Sequence, residues 1–252
     1  MPLSTSRWAI RSDNSTIIQL HIMKKLVIFD LDGTLLNTIT DLGMAANYAL
    51  KKNGFAEHDI ERYPFFVGNG VRKLIERVLP PATGNEKTIE RMLVDFKEYY
   101  NCHNTDFTEP YPGIVQLLHD LTAMGVKIAV ASNKYQAATE SIIKHFFGDL
   151  EWSVICGQKE NFPVKPDPSI VFSILGEVEV PKDDTLFVGD SGVDMETAWR
   201  ACVDSAGVTW GFRSEKELRS NHSKFIAHDA AALMDIIKGV HRDSGKLVGV
   251  EF

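Results

Sequence analysis

The chain reads as an α/β protein, a doubly wound parallel sheet with an all-helical cap domain inserted after the first strand. Three observations predict this. From Tyr111 onward, short β-branched apolar runs alternate with helical patterns, as in parallel strands covered on both faces. An isolated run of the same kind, Leu26-Val27-Ile28-Phe29, lies far upstream and ends abruptly on Asp30-Leu31-Asp32-Gly33-Thr34. Between the two, from Thr38 to Thr105, the apolar spacing is helical and no strand pattern occurs.

Each element follows in order. Leu42, Ala45, Ala46, Ala49 and Leu50 form a helical stripe stopped by Asn53-Gly54. A second helix spans Gly70 to Leu79 and ends at Pro80-Pro81; a third spans Glu86 to Asn101, with Met92, Leu93, Phe96 and Tyr99 on one side. This insertion is too long for a crossover helix and has apolar faces of its own, so it is expected to be a separate small unit. Its hinges are expected near Leu36 to Thr40 and Asp106 to Pro112. Pro112-Gly113 opens a helix that Gly125 closes. Strands are expected at Val126–Ala131, Ser153–Cys156, Asp184–Val188, Ser205–Thr209 and near Phe225. Helices are expected at Gln136–Phe146, Pro166–Leu175, Val193–Ala201 and Ala230–Lys238. Right-handed crossovers give a Rossmann-like arrangement. The expected division is a core of residues 23–37 and 107–240, a cap of residues 38–106, a disordered arm of residues 1–22 and a tail of residues 241–252.

Composition narrows the function. The net charge of −7 comes with scattered basic residues, which argues against a nucleic-acid surface. No apolar run reaches the length of a membrane span. Residues 1–22 lack the apolar core of a secretory signal and carry Arg7 and Arg11 among Ser and Thr, a weak likeness to an organelle-targeting peptide. Cys102, Cys156 and Cys202 are odd in number and widely spaced. They are expected to be small buried hydrophobes in a reducing, cytoplasmic setting. The protein is expected to be a monomer or homodimer.

The chemistry gathers at strand ends. The first strand ends in Asp30 and Asp32, which share a side if the extended backbone persists, with Gly33 permitting a sharp turn. Ser132 and Asn133 follow the second strand, and Lys165 precedes Pro166. Gly189-Asp190-Ser191-Gly192-Val193-Asp194 follows the strand at Leu186. Ligands of open parallel sheets sit beyond these ends. Asp30, Asp32, Asp190 and Asp194 concentrate negative charge that a Mg²⁺ ion would relieve through oxygen ligation. Ser132, Asn133 and Lys165 offer donors to phosphate oxygens, as does the start of the helix after Ser132. A carboxylate could then take a phosphoryl group, and a second could move a proton.

These four segments together resemble the signature of the haloacid dehalogenase superfamily of phosphohydrolases: Asp30-x-Asp32-Gly33-Thr34, Ser132, Lys165, and Gly189-Asp190-x3-Asp194, spread over about Lys25 to Phe212. The resemblance implies Asp30 as nucleophile and Asp32 as general acid/base. It implies that Mg²⁺ is held by Asp30, the Asp32 carbonyl and Asp190, with Asp194 in support, and that the helical insertion is a mobile cap. Within the superfamily the chain looks most similar to phosphoglycolate phosphatases, through Phe66-Val67-Gly68-Asn69-Gly70-Val71-Arg72-Lys73-Leu74 and Gly207-Val208-Thr209-Trp210-Gly211-Phe212. Gly68, Asn69 and Gly70 would bring backbone N–H groups to a small phosphorylated substrate, and Arg72 would meet a carboxylate bidentately. The sequence departs from the pattern at Asn37-Thr38, often Asp-Ser, and at Cys202, often Gly. The alternatives are a hydrolase of pyrophosphate or nucleotide monophosphate, a phosphosugar mutase, and a phosphate-binding module without activity.

Overall fold

The computed structural model describes residues 9–11, 17–20 and 23–242. Two short strands, β1 (Ala9–Arg11) and β2 (Ile17–Leu20), precede the first sheet strand, β3 (Leu26–Phe29). Then come β4 (Leu36–Asn37), the helices α1 (Ile39–Lys52), α2 (Gly70–Val78) and α3 (Glu86–His103), and β5 (Glu109–Pro110). The alternating part runs α4 (Ile114–Ala123), β6 (Lys127–Tyr135), α5 (Gln136–Phe147), β7 (Val154–Gln158), α6 (Ser169–Val178) and β8 (Thr185–Gly189). It continues with α7 (Gly192–Ala201), β9 (Asp204–Val208), α8 (Glu215–Ser220), β10 (Phe225–Ala227), α9 (Ala230–Ile237) and β11 (Val240–Arg242).

Six parallel strands form the main sheet in the order β10-β9-β8-β3-β6-β7. Strand alternation divides its core. Val27 and Phe29 join one apolar cluster with Leu117, Leu121, Ile142 and Leu233; Leu26 and Ile28 join the other with Ile170, Val171, Ile174 and Ala198. Both faces of β3 are therefore covered, which is why its sequence is apolar throughout rather than alternating.

The segment from α1 to α3 is helical and buries Tyr63, Phe96 and Tyr100 in the same apolar cluster that holds Val27 and Phe29 of β3. It is tied to the sheet domain by the antiparallel pair β4–β5, in which Leu36 faces Pro110. Beside that pair the buried Asp41 carboxylate accepts from the Thr108 N–H at 2.9 Å and hydroxyl at 2.7 Å, and from the Phe107 N–H at 3.0 Å.

The structure departs from the sequence expectations at four places. β6 continues past the expected end at Ala131 through Ser132-Asn133-Lys134, with a register shift after Ala131, while α5 begins at Gln136 as expected. α6 begins at Ser169 rather than Pro166, because Pro166 and Pro168 bias the residues before them away from the helical region. Cys102 and Cys202 are exposed, and only Cys156 is buried. Finally, β1 and β2 pair with each other and β2 with β11, so these parts of the arm expected to be disordered are strands, while the start of the tail packs as an extra strand, one of the two courses open to it. The rest of residues 1–22 and the tail beyond Arg242 lie outside the described residues.

Candidate active site

The chain leaves β3 toward β6 and β7, then returns to the other side of β3 for β8, β9 and β10. The reversal opens a crevice at the carboxyl ends of β3 and β8, where ligands of such sheets bind. Asp30 extends β3 by one bond, its N–H donating to the Val188 carbonyl at 2.9 Å. Three residues later Gly33 turns the chain at φ +88°, and a Cβ there would lie 2.3 Å from Asp190 Oδ2. Only glycine fits both the backbone angle and that contact. The Phe212 N–H donates to the same oxygen at 2.7 Å, so Asp190 is held between the two turns.

Asp194 stands in the first turn of α7 as half of a capping box with Ser191. Its Oδ2 accepts from Ser191 Oγ at 2.6 Å, leaving Oδ1 for Lys165 Nζ, also at 2.6 Å. Lys165 Nζ lies 2.8 Å from Asp30 Oδ1 as well. One buried ammonium thus serves two buried carboxylates. Carboxylate oxygens of Asp30, Asp190 and Asp194 lie within 4.8 Å of one another.

This cluster is short of positive charge. Burial pushes the Asp30 carboxyl up to about 7; Lys165 opposes that and the Asp194 charge reinforces it. Burial, with Asp194 and Asp30 beside it, raises Asp190 well above the ordinary carboxylate range. Burial would lower Lys165, but Asp194 and Asp30 outweigh it and hold its ammonium charged. An all-oxygen set with excess buried negative charge suits a hard divalent cation such as Mg²⁺, and the residues fit that group.

The Asp32 side chain takes another course. It receives both its bonds from Lys134 Nζ, at 2.8 and 3.0 Å. The extended backbone stops at Asp30, so the two aspartates of the first motif face different lysines. Both line one pocket with Ser132, Asn133, Gly68, Gly70, Tyr100 and Arg213. Asn133 is the junction of this wall: its Oδ1 accepts from the Lys165 N–H at 2.8 Å, and its Nδ2 donates to the Lys165 carbonyl at 3.1 Å and the Gly68 carbonyl at 3.2 Å. Ser132, also buried, accepts from the Lys134 N–H at 3.2 Å.

One expected substrate contact, the Arg72 guanidinium, is engaged elsewhere. Arg72 turns outward, with its guanidinium 2.7 Å from Glu86 and also paired to Glu90. The Asn69 side chain accepts from Arg77 at 2.7 Å. Sequence reasoning passed over Lys134, Tyr100 and Arg213. Lys134 stands in the strand end already singled out, and its signal was a lysine directly after the expected phosphate donors. Arg213 follows Phe212 and donates to the Pro64 and Val67 carbonyls, bridging the sheet domain to the helical segment.

Comparison with known proteins agrees with this geometry. Residues 27–208 match the haloacid dehalogenase-like hydrolase family. A phosphoglycolate phosphatase of Aquifex aeolicus is 31% identical over 188 residues, covering 75% of this chain and 86% of that protein. One of Mannheimia succiniciproducens is 30% identical over 219 residues, covering 84% and 98%. Among solved structures, a candidate phosphoglycolate phosphatase from Lactobacillus delbrueckii subsp. bulgaricus superposes with a TM-score of 0.81 at 31% identity, covering 86% of this chain and 99% of that one. With its four strand-end segments converging at the switch point of a parallel sheet, the chain belongs to the haloacid dehalogenase-like hydrolase family.

Proposed function

We propose that the protein is a phosphatase of small phosphate monoesters, 2-phosphoglycolate first, acting through a phosphorylated Asp30. One observation carries the mechanism: Asp30 and Asp32 face one pocket from different lysine partners. Lys165 works against the burial that raises the Asp30 carboxyl, and a bound cation would lower it further, toward the carboxylate that attacks phosphorus. The Asp30 O–P bond forms as the ester P–O bond breaks, and the leaving oxygen takes a proton from Asp32. Water then attacks the phosphorus; Asp32 takes back a proton, the Asp30 O–P bond breaks, and alcohol and inorganic phosphate leave. Lys165 and the Ser132 hydroxyl offset charge on the phosphoryl oxygens throughout. Asp30, the Asp32 carbonyl, Asp190 and Asp194 would hold Mg²⁺, which when bound neutralises charge on the transferring group.

A small substrate fits better than a nucleotide. The pocket leaves about 50 Å³ between Leu42, Val67, Phe96, Phe212 and the polar wall, the space of a few water molecules. Residues 38–106 act as a cap that closes over the core of residues 23–37 and 107–240, hinged at β4 and β5, with Arg213 reaching across to it. Named relatives of this chain are phosphoglycolate phosphatases, which favours that ester. Among the described residues no helix is long and apolar enough to cross a membrane, and the unpaired cysteines suit a reducing, cytoplasmic setting. The test is phosphate release from a panel of monoesters with Mg²⁺ and with EDTA. Release from 2-phosphoglycolate that EDTA and Asp30→Asn both abolish is expected; release by Asp30→Asn equal to the parent's would overturn the mechanism.

A further inference from the structure

Among the described residues the hydroxyls of Thr34, Thr38 and Tyr100 are buried without a hydrogen-bond partner, and of these three residues Tyr100 lines the pocket. Tyr100 is fully buried on α3. Burial first, and the nearby Asp32 charge second, hold its phenol well above the usual range, so at neutral pH it is a donor. A buried donor without an acceptor is unfavourable, and a ligand acceptor would relieve it.

A second set of unmet donors lies in the same pocket. α2 begins at Gly70, beside the turn at Gly68, and both glycines line the cavity. The turn is fastened to the strand wall through the Asn133 bond to the Gly68 carbonyl, and a Cβ on Gly70 would lie 3.3 Å from the Asn133 carbonyl. The Asn69 side chain, held by Arg77, does not cap α2. The first N–H groups of α2 therefore remain as donors, with the positive end of the helix dipole behind them. Lys134 Nζ stands 4.7 Å from the Tyr100 ring centroid and balances the Asp32 charge that would otherwise repel an anion.

We propose that the Tyr100 hydroxyl and the start of α2 form a subsite for a second anionic group on the substrate, a carboxylate one short carbon from the phosphate ester, with Tyr100 as its specificity-determining residue. The proposal rests on the phosphatase reading and narrows it to phosphorylated short-chain acids. It gives the carboxylate to Tyr100 and backbone donors in place of Arg72, which is engaged with Glu86 and Glu90.

The experiment compares kcat and KM for 2-phosphoglycolate and for ethyl phosphate, its counterpart without the carboxylate, in the Mg²⁺-supplemented parent and in Tyr100→Phe. The parent is expected to favour 2-phosphoglycolate by at least about 10-fold in kcat/KM, as one hydrogen bond to a charged group allows. Tyr100→Phe is expected to lose about 10-fold or more on 2-phosphoglycolate, chiefly through KM, and under about 2-fold on ethyl phosphate. Equal losses on both esters would assign Tyr100 to Asp32 or to folding and overturn the subsite, as would no loss on either. The parent's own ratio tests the subsite without a variant: release from both esters without preference overturns it and leaves the phosphatase reading standing. Release from neither ester overturns both.

Discussion

Lys134 grips both carboxylate oxygens of Asp32, at 2.8 and 3.0 Å, across 102 residues of sequence. Both side chains are largely buried, so the pair fixes where Asp32 points as well as its charge. Lys134→Met should lower kcat by about 10- to 100-fold, because a proton-transfer group must lie within hydrogen-bond reach. It should also lower stability by up to about 3–5 kcal/mol, the cost of a buried charge left unpaired. The double variant Asp32→Asn, Lys134→Met should recover most of that stability without recovering turnover. Thermal melts beside steady-state kinetics separate the two effects.

Arg72 makes the opposite case. Its partners Glu86 and Glu90 are exposed, as it is itself, and such pairs contribute about 0–1 kcal/mol. Arg72→Ala should change kcat/KM for 2-phosphoglycolate by less than about 2-fold and hardly move the melting temperature. A 10-fold rise in KM would restore Arg72 to the substrate.

Lys165 sits between Asp30 and Asp194 as their shared counter-charge. Lys165→Met should abolish phosphate release and destabilise the protein by about 3–5 kcal/mol in EDTA, since three crowded buried acids then lack a cation. Saturating Mg²⁺ should raise the melting temperature of this variant more than that of the parent, because a ligand bound only by the folded state stabilises more the tighter it binds, as the logarithm of its affinity. A Mg²⁺ shift no larger than the parent's would contradict the charge shortage inferred for this cluster.

The parts legible in the sequence were those encoded locally. β3 declares itself as an apolar run ending on Asp30, and β8 does the same before Asp190, while the apolar run of β6 stops at Ala131 although the strand goes on to Tyr135. Strand order then places Asp30 and Asp190 on adjacent ends without any further signal. The lining of the pocket from the helical segment was not legible. α3 carries apolar residues around much of its circumference; its packing buries Ile89, Met92, Phe96 and Tyr100 and leaves Leu93 and Tyr99 half-covered. A stripe read through Tyr99 misses Tyr100 by one position. The pairing of β2 with β11 is a contact between chain segments far apart, and three- and four-residue strands leave too little pattern to find it.

Cys202 shows how a departure from a family pattern can be read physically. It closes α7 at φ 57° and ψ 44°, a left-handed conformation that costs a residue with a Cβ about 1–2 kcal/mol. Cys202→Gly removes that cost and adds back some unfolded-chain entropy. The expected net gain is about 0.5–1 kcal/mol, a rise of about 1–4 °C in melting temperature. Turnover should not change, since the side chain is exposed at the far end of α7 from Asp194.

Asp204 gives the fold a defined acid limit. Burial would raise its carboxyl, but hydrogen bonds from Lys224 at 2.7 Å and Lys24 at 2.8 Å, with their charges, hold it below the ordinary aspartate range. A carboxyl depressed on folding stabilises above its unfolded pKa, near 3.9, and that stability is lost as pH falls through the folded value. Because Lys24 also donates to the Asp183 carbonyl, the contact fastens the start of β3 to its neighbours on both later strands. Asp204→Asn should therefore cost about 1–2 kcal/mol at pH 7 and flatten the decline of the parent's stability below about pH 4. Urea titrations of both proteins at pH 7 and pH 3 measure this directly; curves separated by the same amount at the two pH values would show that Asp204 contributes nothing through its charge.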